Sequence, residues 1–170
     1  MRTLNTALAA AALAAAPALA QDDQVVSAKA AMAGPDGTSL GSITLAATPA
    51  GVLVWGTLHG LPPGPHGFHV HETGSCEPPF ESAGGHFNPA GAEHGFHSEA
   101  GPHAGDMTNV TAAADGTAGV EVLNTFLTLN RTLFDADGAA IVIHASPDDY
   151  RAQPSGHAGD RIACGVIEPD

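Results

Sequence analysis

The chain has 170 residues, enough for one domain, with 21 Gly, 13 Pro and only 14 % charged residues. That turn-rich mix excludes a helical bundle or coiled coil, which would need far more Glu, Lys, Arg and Leu. Five basic against 18 acidic residues give a formal charge of −13. Such a chain is no partner for nucleic acid or an anionic membrane, and 44 % hydrophobic content excludes disorder.

Residues 1–20 read as a secretory signal peptide. Arg2 is the positive end, Leu4 to Ala16 is almost wholly apolar, and Ala18-Leu19-Ala20 is a small-x-small cleavage site. The stretch is shorter than the roughly 20 apolar residues of a spanning helix. The predicted mature domain is therefore 21–170, with a charge of −14 once Arg2 is gone and no membrane contact after removal of the signal. Two cysteines, Cys76 and Cys164, suit an oxidising compartment, where a structural disulfide is the commoner use of such a pair.

From Gln24 to Met32 polar and apolar residues alternate, and Gly34-Pro35-Asp36-Gly37 turns the chain into Ser39–Thr48. Pro49-Ala50-Gly51 turns it again into Val52–Leu58. Gly67–Glu72, Met107–Ala112, Thr117–Leu123, Ala139–His144 and Ile162–Ile167 read the same way, with Asp115-Gly116 as a hairpin turn. No window holds a helical period for three turns. The reading is all-β: about eight strands in an antiparallel sandwich or barrel. Two connections, 73–105 and 145–160, are longer than sheet geometry requires, which marks them as functional loops.

Ten histidines are the anomaly, and eight of them fall between His59 and His103. His69-Val70-His71 lies on a strand, where residues two apart share a face, so both imidazoles can meet one ion. His86, His94, His103 and Asp106 follow, and His144 ends the apolar run Ile141-Val142-Ile143. Imidazole suits copper and zinc, and three imidazoles with a carboxylate make a closed zinc site.

These segments resemble the copper–zinc superoxide dismutases in their exported bacterial form. The resemblance rests on Gly67-Phe68-His69-Val70-His71-Glu72, Gly84-Gly85-His86-Phe87-Asn88-Pro89, His103-Ala104-Gly105-Asp106 and Gly159–Ile167, and it spans Gln24 to Ile167. It implies a flattened Greek-key β-barrel of eight strands, copper and zinc ions as cofactors, superoxide as substrate and a periplasmic location. Position by position, it implies His69, His71, His86 and His144 as copper ligands. His86, His94, His103 and Asp106 would hold zinc, with His86 bridging the two metals. Asp148, four residues after His144, would orient one copper and one zinc histidine, although its neighbour Asp149 could be confused with it. Arg161 would sit beside copper and hold the anion, so His86 and Arg161 are the expected catalytic pair. A Cys76–Cys164 disulfide would tie the metal-bearing loop to the strand carrying Arg161.

The acidic balance is at odds with an anionic substrate, so attraction must be local. In 145–160 the one cation is Arg151, Asp160 adjoins Arg161, and His157 stands where the family suggests a small or amide side chain. His59, His66, His97 and His157 fall outside the dinuclear set and could add weak surface sites. A metal buffer without turnover is the competing class, but a buffer has no need of Arg161 beside copper or of a shared imidazole. Trp55 and Phe68 read as core or dimer-surface aromatics, leaving a homodimer open.

Overall fold

Alternation in the first strands does what a half-buried sheet requires: Ala28, Ala30 and Met32 of one strand, and Ile43 and Leu45 of the next, turn inward and are buried. The computed structural model describes residues 25–170, so the predicted signal peptide lies outside the described residues. The strands are β1 (Ser27–Ala33), β2 (Ser39–Thr48), β3 (Gly51–Leu58), β4 (Gly64–His66), β5 (Phe68–His71), β6 (Val110–Ala112), β7 (Ala118–Asn124), β8 (Ala140–His144) and β9 (Arg161–Pro169). One 3-10 turn, Glu81–Ala83, is the sole helical element among the described residues.

Seven strands form one curled sheet in the order β5-β8-β9-β1-β2-β3-β7, and β4 pairs separately with β6. The pairs are antiparallel, as in Ile43↔Gly56 between β2 and β3 and Leu53↔Leu123 between β3 and β7. The fold is all-β as expected, with nine strands rather than eight. The additional strand is Gly64–His66, whose Gly-Pro start looks like a turn in sequence. Its three residues pair with Val110–Ala112 in an edge ribbon, where a proline costs no ladder bond on its solvent side.

β5 and β8 are buried on both faces. Phe68, Val70, Ile141 and Ile143 join the main core, while Ala140, Val142 and Cys164 pack outward against Phe80, Ala83 and Cys76 of the long loop. The outward face of β5 carries His69 and His71, so the loop covers the histidines as it covers the apolar side chains. The same loop extends the β5 edge: Glu72 N donates to Gly85 O at 2.9 Å, Phe87 N to Val70 O at 2.8 Å and Val70 N to Gly105 O at 2.9 Å. Gly105 must lack a side chain, because a Cβ there would lie 2.2 Å from the Val70 carbonyl oxygen. This packing brings His86 opposite His71 and Asp106 opposite His69 as isolated bridges.

Candidate metal centre

Four segments converge on one buried cluster: β5, the 86–106 stretch, the end of β8 and the 145–160 loop. Their side chains form two groups, His69 with His71, His86 and His144, and His86 with His94, His103 and Asp106. Within each group one ligand atom per residue lies within 4.8 Å of all the others. His86 belongs to both.

For His69, His71 and His144 the hydrogen bonds dictate which nitrogen of the ring is left for a metal. His71 Nδ1 donates to Gly84 O at 3.0 Å, and His144 Nδ1 donates to Gly159 O at 3.1 Å. Their Nε2 atoms then carry lone pairs, and these two atoms face one another at 3.4 Å. Two lone pairs at that separation repel unless a cation lies between them. His69 Nε2 is taken by Asp148 Oδ2 at 2.7 Å, while its buried Nδ1 has no hydrogen-bond partner. His86 Nδ1 meets Asp106 Oδ1 at 2.8 Å, and its Nε2 is likewise buried without a partner. His103 Nδ1 is the third such atom, 3.5 Å from Asp106 Oδ1. Buried polar atoms are rarely left unpaired. Three orphaned imidazole nitrogens aimed into one cluster are what metal ligation would satisfy, so the residues fit copper and zinc.

Electrostatics divides the two groups. Burial pushes His69 down to about 3, against the pull of Asp148, and pushes His144 down to about 4. His71 falls well below the ordinary histidine range for the same reason, aided by His86. These rings are neutral at physiological pH and present bare lone pairs. Around Asp106 the balance reverses. Burial would raise its carboxyl, but hydrogen bonds from His86, His94 and the Gly95 N–H hold it far below the usual carboxylate range. Asp148 is lowered likewise by His69 and His94 despite its burial. Burial opposes protonation of His94, yet its contacts with Asp106 and Asp148 outweigh that and raise it to about 9.

Asp148 bridges the groups: its Oδ2 meets His69 and its Oδ1 meets His94 Nε2 at 3.1 Å. Asp149 is elsewhere, exposed, 3.4 Å from the exposed His157 ring and accepting from the N–H groups of Arg151 and Ala152. Arg161 opens β9 beside His71 and His144. Its Nη1 donates to Phe80 O at 2.6 Å and its Nη2 to Gly84 O at 2.7 Å, with Glu81 Oε2 at 3.8 Å from Nη2. Cys76 and Cys164 form the disulfide, with Cα atoms 5.6 Å apart. His97 is exposed and lies near Tyr150, outside both groups.

One expectation is overturned. His66 is no surface histidine: it is buried, with Nδ1 2.8 Å from His144 O and Nε2 2.7 Å from Pro62 O. Sequence reasoning also missed Asn109 and Gln153. Asn109 bonds the backbone of Asp148, and Gln153 bonds the backbone of His94. A loop amide carries no mark that separates it from a solvated one.

Comparison with known proteins gives the same reading as the geometry. A family model described as copper/zinc superoxide dismutase matches residues 39–167. The chain is 44 % identical to superoxide dismutase [Cu-Zn] 2 of Aquifex aeolicus over 98 % of its own length and 99 % of the relative's. It is 46 % identical to superoxide dismutase [Cu-Zn] of Caulobacter vibrioides, covering 84 % of this chain and 86 % of that one. Among solved structures it is similar to a SOD-like protein from Bacillus subtilis, with TM-score 0.74 and 39 % identity over 81 % of this chain and 96 % of the other. It is also similar to the Cu/Zn superoxide dismutase of Brucella abortus, with TM-score 0.69 and 31 % identity over 84 % and 99 %. The chain belongs to the copper/zinc superoxide dismutases, the enzymes that use copper and zinc to convert superoxide to dioxygen and hydrogen peroxide.

Proposed function

We propose that His69 through Nδ1, and His71, His86 and His144 through Nε2, hold copper. The Nδ1 atoms of His86, His94 and His103, with Asp106, hold zinc. The observation that carries this reading is the presence of His86 in both groups, one nitrogen toward each. When bound, copper supplies a one-electron redox couple and zinc a fixed positive charge.

The chain's own residues supply the rest. Superoxide enters against Arg161, whose guanidinium is anchored on two carbonyl oxygens and keeps further N–H donors for an anion. One superoxide gives up an electron and leaves as dioxygen. A second gains an electron, takes two protons and leaves as hydrogen peroxide. His86 Nε2 would serve copper and a proton in turn, never both at once, and the proton it carries while free of the metal would go to the reduced oxygen species, water providing the other. Its Nδ1 stays beside Asp106 throughout, so the ring keeps its orientation while Nε2 changes its proton. Asp148 holds His69 and His94 in register across both groups.

Residues 1–20 act as a secretory signal, 21–170 form the mature domain, and that domain works in the periplasm. The signal-like composition of 1–20 and the disulfide support this placement. No helix among the described residues is long and apolar enough to cross a membrane. Exposed Trp55 and Leu123 support a homodimer, which sedimentation of the pure protein would read.

Metal titration of the purified metal-free chain tests the ligand assignment. One copper and one zinc are expected per chain. His86→Ala should weaken both, because it removes a nitrogen from each group. A variant that binds both metals as tightly as the unsubstituted chain would contradict the shared-ligand assignment.

A further inference from the structure

Two loops meet at the bond between His94 and Asp148, and each sends an amide side chain across to grip the other's backbone. Gln153, from the loop that carries Asp148, accepts from His94 N at 2.9 Å through Oε1 and donates to His94 O at 2.9 Å through Nε2. Asn109, just beyond Asp106, does the converse. Its Oδ1 accepts from Asp148 N at 2.8 Å and its Nδ2 donates to Asp148 O at 2.9 Å. Each amide pairs with both polar groups of one residue, as a neighbouring strand would.

We propose that Gln153 is a positioning residue for zinc, acting through His94. The His94 ring is engaged at Nδ1 by Asp106 and at Nε2 by Asp148, both at 3.1 Å. Those contacts direct the ring only if its backbone is held, and the side chain that holds it is Gln153. With both backbone groups of His94 fixed, the ring meets the ion already oriented, and less ordering remains to be done on binding. Gln153 makes none of its hydrogen bonds to His69, His71 or His144; its remaining bond goes to Arg151 O at 3.3 Å. Its effect is therefore selective for one metal. The inference rests on the zinc ligand set assigned above.

Gln153 is itself exposed, so Gln153→Met, which keeps the length of the side chain and removes both polar atoms, leaves the core untouched. The test compares zinc and copper dissociation constants of the metal-free full chain, by competition with a chromophoric chelator, with and without the substitution. Zinc is expected to bind about 10- to 100-fold more weakly, the usual cost of losing a partner that orients a ligand, with copper affinity unchanged. Combining Gln153→Met with Asn109→Ala should cost less than the sum of the two, because both amides hold ends of the same His94–Asp148 bond. Unchanged zinc affinity overturns the proposal. Equal weakening of both metals also overturns it, since that is the behaviour of a simple staple between loops. An unsubstituted chain that takes up no zinc overturns the ligand set and this inference together.

Discussion

His71 and Arg161 share one hydrogen-bond acceptor: the Gly84 carbonyl oxygen lies 3.0 Å from His71 Nδ1 and 2.7 Å from Arg161 Nη2. A single peptide group of the long loop thus orients both His71, a proposed copper ligand, and Arg161, the arginine proposed to hold the anion. The Phe80 carbonyl, also on Arg161, comes from the same stretch. That stretch is tied back to β9 by Cys76–Cys164, three residues beyond Arg161. Removing the disulfide should therefore act on both stability and the site. Bridging 88 residues corresponds to about 4–5 kcal/mol in the chain-entropy account, so paired Cys76→Ser and Cys164→Ser should lower the denaturation midpoint strongly. At temperatures where that variant is still folded, kcat/KM should fall as Arg161 loses its carbonyl anchors. Unchanged kcat/KM in the folded variant would contradict the anchoring role.

Gly156 sits against the residue that joins the two groups. A Cβ there would lie 1.7 Å from Asp148 Oδ1 and 2.8 Å from His94 Nε2, and its φ of +67° disfavours any side chain. Gly156→Ala should displace Asp148 and weaken both metals by about 10- to 100-fold. Equilibrium dialysis against each metal reads this directly.

Metal-free stability should peak near neutral pH. His69 and His144 have folded values of about 3 and about 4, below the unfolded histidine value of 6.5. Their contribution is present above 6.5 and is lost as pH falls toward the folded values, because the unfolded chain then binds protons that the folded chain refuses. Asp106 and Asp148, held below 3.8, add to the loss at still lower pH. His94 runs the other way. Raised to about 9, it contributes fully below 6.5 and loses that contribution as pH climbs through 9. Thermal denaturation of the metal-free protein from pH 4 to 10 should trace a maximum between these limbs, and His94→Gln should flatten the alkaline one.

Much of the centre was legible because ligand chemistry demands particular side chains. Alternate residues of a strand share a face, so His69-Val70-His71 announces itself, whereas His86, His94, His103 and Asp106 form a set in sequence only through the family resemblance. What stayed hidden is carried by groups every residue has. The Gly84 and Phe80 carbonyls that hold Arg161 have no sequence signature, and Gln153 and Asn109 look like ordinary loop amides. His66 misled for a related reason: its burial depends on the carbonyls of Pro62 and His144, which only the folded chain brings to it. The strand Gly64–His66 was lost to its own Gly-Pro, since three residues cannot show a period.

The acidic surface reaches the site at Glu81, whose carboxylate lies 3.8 Å from Arg161 Nη2 and is largely exposed. It competes with any anion that Arg161 attracts. Glu81→Gln should raise kcat/KM about twofold at low salt, with the gain shrinking as the screening length falls to about 3 Å at 1 M salt. A gain that persists at high salt would show that Glu81 acts by shape rather than charge.

The most direct test of the central claim is pulse radiolysis of the copper- and zinc-loaded protein beside Arg161→Ala. The expected result is dismutation near the diffusion ceiling of about 10⁹ M⁻¹s⁻¹, markedly reduced in the variant while both metals stay bound. Full metal binding with no dismutation in either protein would contradict the account, leaving a metal carrier built on this fold.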